Sequence, residues 1–306
     1  MLQEFDFHHR TRLIFGENSL DRVGLLASGL GATRVLLVTD PGIVAAGHVS
    51  RAQNALERSG LRVALFDGVI ENPTSREVHA CAELAKTEKI DLLIGLGGGS
   101  SIDTAKGANF LLAGGGRIHD YWGVGKAKGI LLPLIAIPTT AGTGSECQSF
   151  ALISDEATHQ KMACGDSQVA PRIAILDPVL TVTQPRLVTI HSGIDAITHA
   201  LESAVTTRRS SLSYIFSREA FSLCSSAFAG VLQDPTNLSL RAKMLLGAAY
   251  AGIAIENSML GAAHSAANPL TAHFHVVHGV AVGIMLPQVI RFNSVIPEIH
   301  TIYKDL

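Results

Sequence analysis

The stretch HSGIDAITHALES, residues 191–203, sets Asp195 and His199 four residues apart among apolar neighbours. Residues at that spacing stand one above the other on the same face of a helix, so the carboxylate and the imidazole point toward a common partner. Two further histidines follow, His264 in GAAHSAANPL and His278 in VVHGVAVG. On one unbroken helix these two would stand roughly 21 Å apart, too far to share an ion. Pro269 is expected to interrupt the helix just after His264, letting the chain turn through TAHFH and present His278 at the start of the next helix. One carboxylate and three neutral imidazoles form an N₃O donor set suited to Fe²⁺ or Zn²⁺. Such a site keeps a net charge of about +1 and acts as a Lewis acid toward a neutral hydroxyl oxygen. His273 and His275, in the turn before His278, are rivals for the same place; His8, His9, His48, His79, His119, His159, His191 and His300 are read as ordinary core or surface groups.

A second chemistry-bearing feature is DLLIGLGGGSSIDTAK, an apolar strand followed by a glycine turn and a helix starting near Ser100. Such a turn lets backbone N–H groups and the positive end of a helix dipole meet a phosphate. It matches neither G-x-G-x-x-G, since Ser100 takes the third glycine position, nor a Walker loop. An ordinary tight βα turn explains it equally well. In IPTTAGTGSE, residues 137–146, Thr139, Thr140, Thr143 and Ser145 surround two glycines after another strand. These hydroxyls suit a pyrophosphate or ribose, or else a loop that satisfies its own backbone. Asp40 closes the strand RVLLVTD. A carboxylate there can accept the ribose hydroxyls of NAD and repel the extra phosphate of NADP, or it can cap the helix that Pro41 opens.

The elements that must position these groups are legible as a rhythm. From residue 34 to about 180, strand-length apolar runs (RVLLVTD, LRVALFD, DLLIGLGGGS, LPLIAIP, RIAILDP) alternate with helical stretches such as IVAAGHVSRAQNALERSG and one from about Ser75. That alternation predicts a parallel sheet covered by helices on both faces. After Pro185, helical patterns follow one another at about 186–206, 210–232 and 236–255, with no convincing strand between them. The division expected is an α/β dinucleotide-binding domain over 1–180 and an all-helical metal-binding domain over 181–306.

Composition narrows the function classes. Of 306 residues, 47% are hydrophobic and 16% charged, with a net charge of −2 spread along the chain, which disfavours nucleic-acid and membrane-surface partners and favours a small, weakly charged ligand. The N-terminus lacks the apolar core of a secretory signal, and no apolar run is judged to approach the roughly 18 residues that span a bilayer, so a cytoplasmic protein is expected. Cys81, Cys147, Cys164 and Cys224 form no C-x-x-C pair and are read as reduced, small and buried.

Taken together, GGGSSIDTAK, IPTTAGTGSE, GIDAITHALE, H-x₁₃-HG and GIMLPQVIRFN resemble the iron-type, group III alcohol dehydrogenases, in order from RLIFG near residue 12 to RFN at 293. The resemblance implies a Rossmann-like dinucleotide-binding domain followed by a helical domain, the dehydroquinate synthase-like architecture, with the metal in the cleft between them. It implies Asp195, His199, His264 and His278 as metal ligands. Gly98, Gly99 and Ser100 would hold the pyrophosphate and Asp40 the adenosine ribose of NAD. Asn72, Asp103, the loop containing Thr139, Thr140 and Thr143, and Lys161 fall at cofactor-contacting positions. The implied reaction is reversible hydride transfer between a small primary alcohol or diol and NAD, by an enzyme that is commonly a dimer or larger.

Two departures matter. Where many members carry a histidine four residues after the third ligand, credited with proton transfer, this chain has Asn268, which cannot titrate near neutral pH. The relay would then pass through His273, His275 or water, or the substrate differs. Members also continue through several more helices that help to wall the substrate pocket, whereas this chain ends at HTIYKDL and reads as C-terminally short. Phe150 and Ile255 are expected to shape that pocket. The competing readings are a metal-independent reductase of the maleylacetate type, a lyase like dehydroquinate synthase, and an inactive NAD- and metal-binding remnant.

Overall fold

Val35, Leu36, Leu37 and Val38 are all fully buried, which requires a strand covered on both faces. The computed structural model describes residues 4–158 and 160–306; the reading of His159 as an ordinary group lies outside them. The chain divides into two compact units: Arg10–Thr139 with Ser149–Thr183, and Thr140–Gln148 with Gln184–Leu306 and the segment up to His9.

In the first unit the strands are β1 (Arg12–Phe15), β2 (Arg34–Val38), β3 (Arg62–Phe66), β4 (Leu92–Gly97), β5 (Gly123–Val124), β6 (Leu134–Pro138), β7 (Phe150–Ser154), β8 (Lys161–Gly165) and β9 (Ile173–Leu176). Six of them form one parallel sheet in the order β1-β9-β6-β4-β2-β3. Side chains alternate between its faces. Val35, Leu37, Leu92, Ile94 and Leu96 pack with Val23, Leu26, Val49, Ala52 and Leu56 of α1 (Val23–Gly29) and α3 (His48–Arg58). Leu36, Val38 and Leu93 pack on the opposite face with Val78, Cys81, Ala105 and Ala108 of α4 (Ser75–Thr87) and α5 (Gly99–Gly114). Each fully buried leucine contributes about 1.5–3 kcal/mol, so the two-sided cover supplies most of the sheet's stability. A smaller sheet, β5-β8-β7, was not legible in the sequence; its strands are short, and β7 and β8 pair antiparallel.

The stretch IVAAGHVSRAQNALERSG is not one helix. It makes α2 (Pro41–Ala45) and α3, because Gly47 adopts φ +81°, a left-handed conformation that ends the first and opens the second. Cys81, Cys147, Cys164 and Cys224 are all unbridged and buried.

The second unit contains α6 (Arg186–Val205), α7 (Ser211–Gln233), α8 (Leu238–Ser258), α9 (Ala262–Phe274), α10 (His278–Asn293) and α11 (Pro297–Asp305). The first three meet through small residues. Ala200, Ala220 and Ala251 share a buried cluster, and a Cβ on Gly247 would lie 2.5 Å from Cys224 Sγ. α8 corrects one expectation: its 21 residues are long and apolar enough to cross a membrane, although 61% of that window is buried within the protein. Its apolarity follows from packing against both α6 and α7.

Pro269 does not end its helix. α9 continues through it to Phe274, so the lost N–H bond and the crowding of the carbonyl four residues back are tolerated there. The reversal comes later, where His275 takes the left-handed conformation at φ +56°, and His278 then opens α10 as expected.

The close approach of β4 to α5 decides where the glycine turn points. An added Cβ on Gly95 would lie 2.8 Å from Ile102 Cα, closer than any tolerated contact. Gly95→Ala is expected to destabilise the protein by about 1–3 kcal/mol, read as a lower urea midpoint with an unchanged slope. An unaltered midpoint would show that this contact does not set the spacing.

Candidate metal centre

Helix α6 presents Asp195, His199 and Glu202 on one face, at positions i, i+4 and i+7. All three are buried. The loop Thr140–Gln148 packs against this unit so closely that a Cβ on Gly142 would lie 2.6 Å from Ser192 Cβ, and one on Gly252 of α8 would lie 2.5 Å from the Gly144 carbonyl. Glycine at both places lets the Gly142 carbonyl accept a hydrogen bond from His199 Nδ1 at 3.2 Å. With Nδ1 bonded to that carbonyl, Nε2 is the ring nitrogen turned toward Asp195 Oδ1, 3.3 Å away.

His264 is oriented in the same way from another helix. Its Nδ1 donates to Glu202 Oε2 at 2.6 Å, and the Glu202 carboxylate also accepts from the backbone N–H groups of Ala263 and His264 in the first turn of α9. One glutamate thus caps α9 and fixes the ring, whose Nε2 lies 3.3 Å from Asp195 Oδ1. Donor atoms of Asp195, His199 and His264 all fall within 4.8 Å of one another. The His199 and His264 rings stack with centroids 4.7 Å apart. His278 lies beside this triad, its Nε2 3.7 Å from Asp195 Oδ1 and its ring centroid 5.4 Å from that of His264.

Donors held by one tetrahedral ion at roughly 2.1 Å are themselves roughly 3.4 Å apart. The separations of 3.3, 3.3 and 3.7 Å around Asp195 Oδ1 are of that size, and the donor set is three nitrogens and one oxygen. The residues present therefore fit a divalent metal. Electrostatics agree. Burial pushes the Asp195 carboxyl up, but His199, His264 and His278 together outweigh it and hold the group well below the usual carboxylate range. Burial lowers His199, keeping it neutral, as a ligand must be. Burial also lowers His264, but its bonds to Asp195 and Glu202 prevail and raise it to about 9.

The other residues singled out from the sequence lie elsewhere. Asn268, His273 and His275 are exposed and stand outside the triad. In the α/β unit, Gly98 is the N-cap of α5 and Gly99 and Ser100 are its first residues, so no side chain caps this helix and its leading amides are open to an anion. Asn72, at φ +53°, donates its N–H to Ser100 Oγ at 3.3 Å. Asp40 caps α2, Oδ1 accepting from the N–H groups of Gly42 and Ile43, while Oδ2 stands 3.3 Å from where a Cβ on Gly97 would be. One oxygen caps the helix and the other faces the glycine turn. Thr139 donates its N–H to the Gly97 carbonyl at 2.9 Å. Asp103 is buried, accepts from Leu152 N–H at 3.1 Å and lies 3.7 Å from Lys106 Nζ, so it anchors α5 to β7. Lys161 opens β8 opposite Ser154. In the helical unit, Thr140 is half-buried, and the Thr143 hydroxyl accepts from Ser145 N–H at 3.2 Å, the self-satisfied turn that was the competing reading of this loop.

Comparison with known proteins adds a decisive observation: the model of the iron-containing alcohol dehydrogenases matches residues 10–178, and that of their C-terminal domain matches residues 189–305. The chain belongs to the iron-containing alcohol dehydrogenase family. Among its relatives, alcohol dehydrogenase 4 of Saccharomyces cerevisiae is 35% identical over 284 residues, covering 93% of this chain and 74% of that one. The NAD-dependent methanol dehydrogenase of Bacillus methanolicus is 34% identical over 92% of this chain and 74% of its own. The crystal structure of a 1,3-propanediol oxidoreductase superposes with a TM-score of 0.92 at 31% identity, covering 96% of this chain and 77% of that one. The α/β and helical folds described above are those of this iron-containing dehydrogenase family.

Glu202 escaped the sequence reading, although the pattern D-x₃-H-x₂-E, which puts three polar groups on one helix face, was available. Its effect on His264 has a measurable consequence. The His264 pKa rises from 6.5 to about 9 on folding, so this proton stabilises the metal-free protein fully below pH 6.5, and that contribution is lost as pH rises toward 9. His199, being lowered, acts only below 6.5 and leaves this window to His264. Chelator-treated protein should therefore show a falling thermal midpoint between pH 6.5 and 9, and Glu202→Gln should flatten the fall. An equal slope in the variant would contradict the assignment.

Proposed function

We propose that Asp195, His199, His264 and His278 together hold a divalent ion, Fe²⁺ or alternatively Zn²⁺, in an NAD-linked alcohol dehydrogenase that interconverts a small primary alcohol or diol and its aldehyde. The observation that carries this reading is the convergence of three imidazole Nε2 atoms on one buried carboxylate oxygen, at 3.3, 3.3 and 3.7 Å. It counts against the metal-independent reductase, which has no use for three buried donors with a fourth beside them. The family's relatives named above, acting on methanol and 1,3-propanediol, support the substrate class.

When bound, the ion supplies a Lewis acid that lowers the pKa of a hydroxyl group beside it. NAD supplies the hydride acceptor. The protein's part is to position and to balance charge. Asp195 contributes the one negative charge that keeps the site at about +1. Gly142 and Glu202 fix the tautomers of His199 and His264 so that their Nε2 lone pairs face inward. His278, with its side chain 26% exposed, stands on the open side of the cluster where substrate would enter. The proton given up by the alcohol would pass to solvent through water and the exposed turn of His273 and His275, since Asn268 cannot carry it. Gly98, Gly99, Ser100, Asn72, Thr139, Thr140, Thr143, Asp103 and Lys161 are proposed as the cofactor's surroundings, with Asp40 selecting NAD over NADP. The four buried thiols suit a reducing cytoplasm, and the protein is expected to work as a homo-oligomer.

Asp195→Asn and His264→Ala should each lower NADH formation from 1,3-propanediol by roughly 10²-fold or more, together with loss of stoichiometric iron after anaerobic reconstitution. Undiminished turnover by protein stripped of metal would overturn the proposal. Asp40→Ser, which keeps a capping oxygen, should raise the ratio of NADP⁺ to NAD⁺ use by about tenfold, the effect of removing one charge repulsion of about 1 kcal/mol or somewhat more. The check is the ratio of kcat/KM for the two cofactors.

A further inference from the structure

We infer that Arg241, Arg186 and the N-terminus of α6 form a binding site for one small oxyanion, of which inorganic phosphate is the simplest example. The site lies in the helical unit, and its lining shares no residue with the metal cluster. Its centre is a cavity of about 80 Å³ whose walls include Gln184, Thr189, Leu232 and Pro235. The space takes more than a single water and suits a five-atom oxyanion.

Arg241 is the observation that calls for a ligand. Only 3% of it is exposed, yet among the described residues no carboxylate lies within ion-pair distance of it. Its hydrogen bonds go to neutral oxygens: Nε to the Pro235 carbonyl at 2.9 Å, and Nη1 to Thr189 Oγ1 at 3.2 Å and Gln184 Oε1 at 3.4 Å. Nη2 takes part in none of these bonds. Long side chains with permanent charge are rarely buried without a counterion, because desolvation is repaid only by an opposite charge. Burial alone, with no acid to offset it, depresses the Arg241 pKa.

Two further positive features border the same cavity. Arg186 opens α6 with its own guanidinium, tied by Nη1 to the Leu232 carbonyl. α6 itself is 20 residues long, and its N-cap is Pro185, which supplies no side-chain acceptor. The leading amides and the helix dipole therefore favour an anion beside Arg241. Asp234, the nearest acid in sequence, turns its carboxylate to the N–H and hydroxyl of Thr236 instead. Two guanidinium groups and an uncapped helix end thus meet at one small hole with no negative group to answer them. An oxyanion there would join the start of α6, which carries Asp195 and His199, to the turn between α7 and α8.

The test is phosphate binding by the 306-residue chain with saturating NAD⁺ present, so that the glycine turn is occupied. Isothermal titration calorimetry and thermal unfolding would be run against potassium chloride at matched ionic strength. Saturable binding of one phosphate per chain is expected, with a thermal midpoint that rises with phosphate and not with chloride. Arg241→Gln should weaken the affinity at least tenfold, and Arg186→Ala, at an exposed position that spares the fold, several-fold. Absence of saturable binding to the parent protein would overturn the inference. So would parent-like affinity in Arg186→Ala, or in a folded Arg241→Gln, since either would place the phosphate elsewhere.

Discussion

A carboxylate buried at Asp195 is the constraint around which the helical unit is arranged. An isolated charge in that position would cost several kcal/mol in lost hydration and would take up a proton instead. Its acidity is preserved because three imidazoles from α6, α9 and α10 surround one of its oxygens. The helices are therefore joined by electrostatics as well as by the small-residue contacts that bring them close. The same arrangement readies the cluster for a divalent ion, which would replace the His264 proton and supply more charge at the same point.

Around that carboxylate stands a shell of groups that fix orientation. The Gly142 carbonyl and Glu202 each take the outward Nδ1 proton of one histidine, so that ring direction and tautomer are set before any ligand arrives. Glu202 does this while capping α9. Coupling of a helix terminus to a ligand's orientation means that the position of α9 and the aim of His264 cannot vary independently. In the α/β unit, by contrast, the receptive surface is made of backbone. Close contact at Gly95 and Gly97 brings α5 against the end of β4, and the helix is left uncapped.

Much of this was legible along the chain, and for local reasons. The parallel sheet follows from apolar runs whose alternate residues enter opposite cores, as Leu36 and Leu37 do. Asp195 and His199 were readable as a pair because a helix sets their spacing, and the three long helices after Pro185 are marked by long apolar stretches without strand signals. The reading failed where a local rule was outweighed by its surroundings. Pro269 sits inside α9 because tertiary packing tolerates one missing hydrogen bond, and the left-handed His275 makes the turn. α8 is more apolar than an exposed helix because two neighbours cover it.

What the sequence determined by itself is the kind of chemistry and the local geometry: an N₃O donor set, a glycine turn at a strand end, and helices and strands whose periods of 3.6 and 2 residues are properties of the backbone. What only the tertiary structure decided is which distant groups face each other. Segment Thr140–Gln148 joins the helical unit although it is flanked by residues of the α/β unit, and Glu202 reaches across to His264, 62 positions away. Neither contact has a local signature. Each depends on how the packed helices bring remote parts of the chain within hydrogen-bonding range, and that is fixed by the complementarity of whole surfaces.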